Sequence, residues 1–219
     1  RRGLARLLHL NDRERIDTYL GWLAHDEPPR FDGSLDGSLD GSLDGASATS
    51  REGRLARMLT SQLFSKGLSK EATLNEALAA LWGHPAVLFD LRQLLAVLAQ
   101  RIPHLQPSLR ERHSAVPLRT HAAYSRLEIL AAFEPADLGR APAWQTGVHN
   151  AKLEGADLLA FTLDKSSSGF SPTTRYRDYA ITRDLIHWES QSVTREESAT
   201  GQRYQHHASQ DRSIMLFAR

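Results

Sequence analysis

The chain contains no cysteine, which excludes disulfides, thiolate nucleophiles and the common cysteine-containing zinc sites. That absence fits a cytoplasmic protein, and the cytoplasm is where we expect it. Apolar runs stay well short of the roughly 20 residues a bilayer-spanning helix needs, so no membrane partner is expected. Charge of one sign is scarce as well: the formal net charge is +1, too small to argue for a polyanionic partner by itself. Lysine is rarest of all among the charged residues. Of 27 basic residues only Lys66, Lys70, Lys152 and Lys165 are lysines, and the rest are arginines. Arginine offers a rigid planar fork suited to phosphate and to guanine edges, although a GC-rich genome produces the same bias.

Several reaction signatures are missing too. The sequence has no HExxH, no Walker GxxxxGK[ST], no GxSxG and no His-Lys-Asp phosphodiesterase repeat, so no catalytic residue, cofactor or metal site is assigned from motifs. What remains is a globular composition, 41% hydrophobic and 24% charged over 219 residues, enough for two modest cores. The basic start Arg1-Arg2-Gly3-Leu4-Ala5-Arg6 opens inside a helical pattern, with no initiator Met and no apolar leader region after it. The last apolar run stops at Arg219. Both features lead us to expect a piece of a longer polypeptide.

The first half carries helical periodicity. Leu4, Leu7, Leu8, Leu10, Ile16, Tyr19, Leu20 and Leu23 predict a helical hairpin, with Asn11 or Asp12 capping its second helix, Glu14 in the first turn and Pro28-Pro29 ending it. Gly33-Ser34-Leu35-Asp36 then repeats as Gly37-Ser38-Leu39-Asp40 and Gly41-Ser42-Leu43-Asp44, a low-complexity acidic linker placed at about residues 32–50. Further helices are predicted from Arg54 to about Phe64, from near Ser69 through Leu81 and from Pro85 toward Ile102. We therefore expect a helical connector module over residues 1–116. Residues 117–133 form the join to the next region, with a short helix over Tyr124–Phe133.

Beyond Trp144 the pattern becomes strand-like. Runs at residues 156–164, 179–181, 186–191, 204–207 and 213–218 predict short strands. The expected architecture is α+β, a helical module followed by a β-rich domain over residues 117–219 with a PUA-like or barrel-like form.

Two stretches of that domain could carry chemistry. Between Phe161 and Tyr179 the chain places a hydroxyl-rich loop with one Lys and two Arg. Lys165, Ser171, Thr173, Thr174, Arg175 and Arg177 could hold phosphates through backbone donors, hydroxyls and charge-assisted bonds. The plainer reading makes Ser and Thr turn formers and the two arginines a solvated face. The second stretch is Leu185-Ile186-His187-Trp188-Glu189-Ser190-Gln191. Strand alternation would place Ile186, Trp188 and Ser190 on one face and His187, Glu189 and Gln191 on the other. Glu189 and Gln191 could read a base edge, and Tyr176, Tyr179 or Trp188 could stack on a base that has left the helix. Trp188 also suits a core. A metal-dependent nuclease could be assembled from His187, His206, His207, Asp178, Glu189 and Asp211, but no spacing specifies it.

The ordered strings Tyr124-Ser125-Arg126-Leu127-Glu128-Ile129-Leu130, Gly147-Val148, Phe170-Ser171-Pro172-Thr173-Thr174-Arg175-Tyr176-Arg177-Asp178-Tyr179-Ala180-Ile181, His187-Trp188-Glu189-Ser190-Gln191-Ser192, Thr200-Gly201-Gln202-Arg203-Tyr204 and Leu216-Phe217-Ala218-Arg219 carry a resemblance. From His121 to Arg219 the chain resembles the C-terminal domain of unknown function that follows the superfamily 2 helicase core in phospholipase-D-like nuclease/helicase fusion proteins. The resemblance implies a role in modification-dependent (type IV) restriction. There the terminal domain senses modified cytosine in double-stranded DNA, while helicase and nuclease domains of the same parent chain translocate and cut. Those two domains are absent from the present sequence, so ATP hydrolysis and cutting are not expected of it. The competing expectation is a structural module that docks helicase to nuclease or mediates self-association.

Overall fold

A computed structural model of the chain describes residues 2–32, 46–47, 49–64, 73–102, 104, 106–109, 111–133, 144, 147–161, 178–191 and 193–218. The chain forms two compact units, Arg1–Pro142 and Ala143–Arg219. The first is helix-rich and the second, smaller one carries most of the strand, an α+β organisation. The segment 117–133 lies with the helices of the first unit. No helix of the described residues is long and apolar enough to cross a membrane.

The first unit holds α1 (Arg2–Ala5), α2 (Arg13–Leu23), α3 (Arg51–Leu63), α4 (Leu74–Trp82), α5 (Pro85–Ala99) and α6 (Arg126–Phe133), with a parallel pair of two-residue strands, β1 (Phe31–Asp32) and β2 (Ala46–Ser47). Asp12 caps α2 by accepting the Arg15 N–H at 3.3 Å, and Glu14 sits in the first turn, where acidic groups oppose the exposed N–H dipoles. Thr73 and Glu76 form a reciprocal capping box on α4, so this helix begins at Leu74 rather than near Ser69. Pro85 opens α5 as expected, but the helix stops at Ala99, short of Ile102. Leu7, Ile16, Leu59, Leu78, Leu91, Leu95 and Phe133 are fully or almost fully buried. One cluster of this interior joins Phe31, Ala56 and Leu78, with Trp22, Leu74 and Trp82 packed against it.

Inside this unit sits a buried polar hub. Ser125 and Glu128 bond reciprocally at the start of α6, Glu128 Oε2 accepting the Ser125 N–H at 2.7 Å and the Ser125 hydroxyl accepting the Glu128 N–H at 3.3 Å. Glu128 also pairs with Arg15 Nη2 of α2 and lies 2.7 Å from His9 Nε2. The Arg15 guanidinium lies 5.1 Å from the centre of the Tyr124 ring and 5.8 Å from that of Tyr19, so two aromatic faces add cation–π attraction. Tyr124 extends the network by donating to Asp12 Oδ2 at 2.6 Å. At the other end of α6, Arg54 and Arg57 of α3 donate to the carbonyls of Ala132 and Ala131 at 2.7 and 3.3 Å. These cations complement the negative helix terminus.

The second unit is built on a three-stranded sheet, β3 (Val148–Ala151), β4 (Ala156–Phe161) and β7 (Ser213–Ala218), in the order β3-β4-β7. β3 and β4 form an antiparallel hairpin, whose turn needs Gly155 at φ 58, a region unfavourable to other residues. β7 pairs in parallel with β4, Ala156 opposite Ser213 through Phe161 opposite Ala218. The central strand β4 is buried at all but one position. A separate antiparallel pair, β5 (Tyr179–Ala180) and β6 (Ile186–His187), is only two residues long on each side, so the strand expected through Gln191 ends at His187. Residues 204–207, expected as a strand, instead belong to α7 (Ala199–Gln205) and its following turn. Ser198 accepts the Gly201 N–H at 3.1 Å, a cap that starts a helix running through Tyr204 and Gln205, where a strand was expected. Among the described residues no sheet closes into a barrel.

Removing Glu128 would leave Arg15 charged in an apolar surrounding, and losing one partner of such a buried pair typically costs about 3–5 kcal/mol. Glu128→Ala is expected to lower stability by that amount in urea or thermal unfolding. Burial pushes the Glu128 carboxyl up, but the Arg15 charge and the His9 hydrogen bond outweigh it and hold the group at about 2, from an ordinary 4.5. A depressed carboxyl stabilises fully above the unfolded value and loses its contribution as pH falls through the folded one. The stabilising effect of Glu128 over Glu128→Gln should therefore be complete above about pH 4.5 and fade toward pH 2, as measured by unfolding across that range.

Candidate functional site

The candidate site begins with a charge in the wrong place for a strand core. Asp157 of β4 is fully buried, and a carboxylate there must be paired. Two arginines converge on it. Arg203 of α7 brings Nε to 3.1 and 3.0 Å from its two oxygens, and Arg212, just before β7, brings Nε and Nη2 to 3.4 and 3.3 Å from Oδ2. Arg212 Nη2 also donates to Asn150 Oδ1 of β3 at 2.7 Å. The carboxylate and its two arginines thus tie α7, β3, β4 and the approach to β7 together.

Helix α7 also packs tightly against the segment that precedes it. A side chain at Gly201 would place its first carbon 2.1 Å from the Arg195 carbonyl oxygen and 2.7 Å from that of Glu196, so only glycine permits the approach. Tyr204 follows Arg203 and meets Trp188 edge-on, with ring centres 5.6 Å apart and planes at 81°, a favoured aromatic geometry. The Arg203 guanidinium stands 5.3 Å from the Tyr204 ring centre. Burial, followed by the Asp157 charge, pushes the Tyr204 phenol up.

Trp188 and Tyr204 border a recess of about 270 Å³ that is also lined by Ser190, Thr194, Arg195, Glu196, Gly201 and Gln205. Residues that carry aromatic rings, hydroxyls, an amide, a carboxylate and a guanidinium line one small cavity. That combination can stack a planar heterocycle and hydrogen-bond its edge.

Of the residues singled out in the sequence, Trp188 stands on this recess and is half-buried rather than in the core. Glu189 and Gln191 flank Ser190 but are not among the lining residues. The Glu189 N–H donates to Asp178 Oδ1 at 3.2 Å, and the Gln191 carbonyl accepts the Thr194 N–H at 2.8 Å. Lys165, Ser171, Thr173, Thr174, Arg175, Tyr176 and Arg177 lie outside the described residues. His187 stacks on Tyr179 at 4.8 Å, His207 Nδ1 lies 2.9 Å from the Tyr204 carbonyl oxygen, and among the described residues no group of three or more His, Asp and Glu is placed to hold a metal ion. Sequence reasoning missed Asp157, Arg203, Tyr204 and Gln205 as site residues. A lone acidic residue inside the run Ala156-Asp157-Leu158-Leu159 was the available signal, because a buried charge demands partners.

Residues 118–219 match the model of a family described as a domain of unknown function (DUF3427). The DUF3427 match starts within the first unit, so it takes in the Tyr124–Glu128 hub as well as the whole Trp188–Tyr204 recess. It also covers the stretch on which the resemblance noted above rests. No curated protein and no solved structure matches the chain.

Gly201→Ala is expected to destabilise the second unit by at least about 1–3 kcal/mol, the usual cost of forcing extra volume into a packed site. Thermal unfolding followed by circular dichroism would measure the loss, and an unchanged transition would contradict the close approach at Arg195.

Proposed function

We propose that the second unit is a DNA-reading module of a modification-dependent restriction or defence helicase-nuclease, and that its recess receives a modified cytosine drawn out of double-stranded DNA. The observation that carries this reading is the Trp188–Tyr204 pair on a polar recess of about 270 Å³, just below the roughly 300–1,000 Å³ of ordinary ligand pockets and suited to a single base. Stacking on aromatic side chains contributes about 1–3 kcal/mol per base and tolerates any base. Discrimination must then come from the edge and the shape. Glu196 and Gln205 line the recess, and with Glu189 and Gln191 nearby in sequence they offer acceptors for the cytosine amino group and donors for its ring nitrogen and carbonyl. A methyl adds only about 0.8 kcal/mol by burial, so a close-fitting wall is required as well.

Affinity on this reading comes from phosphate contacts. Lys165, Ser171, Thr173, Thr174, Arg175 and Arg177 are the proposed backbone anchors, Tyr176 is a further stacking residue, and Arg195 adds a cation at the recess. The DUF3427 match supports the reading by agreeing with the resemblance to domains that follow a helicase core. Helicase and nuclease domains of the parent chain are then the natural partners.

Anisotropy titrations with matched duplexes test the proposal. The chain is expected to prefer the duplex carrying modified cytosine, and Trp188→Ala or Tyr204→Ala should weaken that binding by about 10- to 100-fold, the scale of one lost stacking contact. Arg175→Ala and Arg177→Ala should weaken modified and unmodified duplexes alike and each reduce the salt slope by about 1. Equal affinity for the two duplexes, or none for either, would overturn the reading.

A further inference from the structure

Just before Trp188 the chain forms a narrow hairpin with an apolar end. Tyr179 pairs with His187 and Ala180 with Ile186, and the Leu185 carbonyl closes the loop by accepting the N–H groups of Ile181 and Thr182 at 2.8 and 3.1 Å. At the root the Tyr179 and His187 rings lie 4.8 Å apart and within 10° of parallel, and Asp178 Oδ1 accepts the Glu189 N–H at 3.2 Å. The root is therefore held on both strands. Tyr179 at the root is 50% exposed, and Ile181 and Leu185 toward the tip are 51% and 54% exposed. The ladder pairs Tyr179 with His187 and Ala180 with Ile186, and the bond from the Ile181 N–H to the Leu185 carbonyl continues it by one step beyond the strands. Isolated exposed apolar residues need no explanation, but Ile181 and Leu185 stand opposite each other at the end of one narrow ribbon, joined by the Ile181 N–H to Leu185 carbonyl bond.

We infer that Ile181 and Leu185 form a wedge that enters the DNA base stack at the step vacated by the base held at Trp188 and Tyr204, an inference that rests on the recess reading above. Continuity of chain supports it: the hairpin strand β6 runs directly into Trp188, so wedge and recess are two ends of one short segment. Apolar wedges between base steps are a general means of holding a duplex open, since they replace the stacking that an extruded base gives up. Charge at the tip nearly cancels. Arg183 and Asp184, 96% and 91% exposed, lie 4.0 Å apart, so the tip acts through apolar contact rather than through phosphate attraction.

The decisive experiment compares the chain with its Ile181→Ser/Leu185→Ser variant on a modified duplex carrying 2-aminopurine beside the target cytosine. Fluorescence reports unstacking and anisotropy reports affinity. The unaltered chain is expected to bind with a fluorescence rise. The variant should lose most of that rise and bind about tenfold more weakly, with an unchanged salt slope. On a duplex whose target base is already mismatched the loss should shrink to within about twofold, because unstacking costs least there. Both side chains are exposed, so circular dichroism should match, and Leu185→Ala provides a milder version with the same readout. If the unaltered chain binds the modified duplex preferentially but the variants keep its affinity and fluorescence rise, the wedge is wrong and the recess stands. If the unaltered chain shows no preference for the modified duplex, both fall together.

Discussion

A carboxylate without water must be given charge and hydrogen bonds by the protein itself, and in the second unit Asp157 imposes that requirement on everything around it. Its two arginines come from different places, Arg203 from α7 and Arg212 from the residue before β7. Satisfying one buried charge thus fixes a helix and a strand at once. Tyr204 comes next in the chain after Arg203, so its ring inherits a position set by the ion pair and meets Trp188 from there. The close approach at Gly201 sets the remaining freedom, the seating of the helix on residues 195–196. At Arg212 the planar fork places Nε and Nη2 together on Asp157 Oδ2 while Nη2 also reaches Asn150 Oδ1, a spread that the single ammonium of lysine does not match.

The first unit uses the same device on a larger scale. Glu128 is held by Arg15 and His9, and Glu14 accepts from Arg51 at 2.6 Å and from Arg119 at 2.6 and 2.8 Å. Hydrogen bonding from Arg51, set against the cost of burial, holds the Glu14 carboxyl below its usual range. Burial, reinforced by the neighbouring Arg54, brings Arg57 down to about 10, still charged at neutral pH as it caps α6. These uses change the meaning of the arginine-rich composition. Many arginines are occupied inside the protein, on carboxylates and helix-end carbonyls, so their abundance alone is no footprint of a polyanion.

Much of the helical half was readable from periodicity and caps, because local signals decide helices that bury one stripe. Asp12, Glu14 and Pro85 occupy the expected positions. Periodicity alone put the start of α4 near Ser69, whereas the reciprocal Thr73 and Glu76 pair sets it at Leu74. Helix α7 was hidden for a tertiary reason. Gly201 depresses helix propensity, yet it is there because the neighbouring backbone leaves no room for a side chain. Trp188 was recognisable as a site residue by type, but its partner Tyr204 was not, since their contact exists only once Asp157 has drawn α7 onto the sheet.

The parallel register of β4 with β7 has one more consequence, for the order of folding. Ala156 finds its partner in Ser213, so the central strand waits through the whole intervening stretch before its second neighbour arrives. Pairings that distant are slow to form, because the loop between them must be closed before any contact rewards it. As the chain emerges from the ribosome, the helical unit can settle while Asp157 still lacks Arg203 and Arg212. During that interval β4 is an uncovered apolar strand, the moment at which a newly made copy is most open to aggregation or to a chaperone.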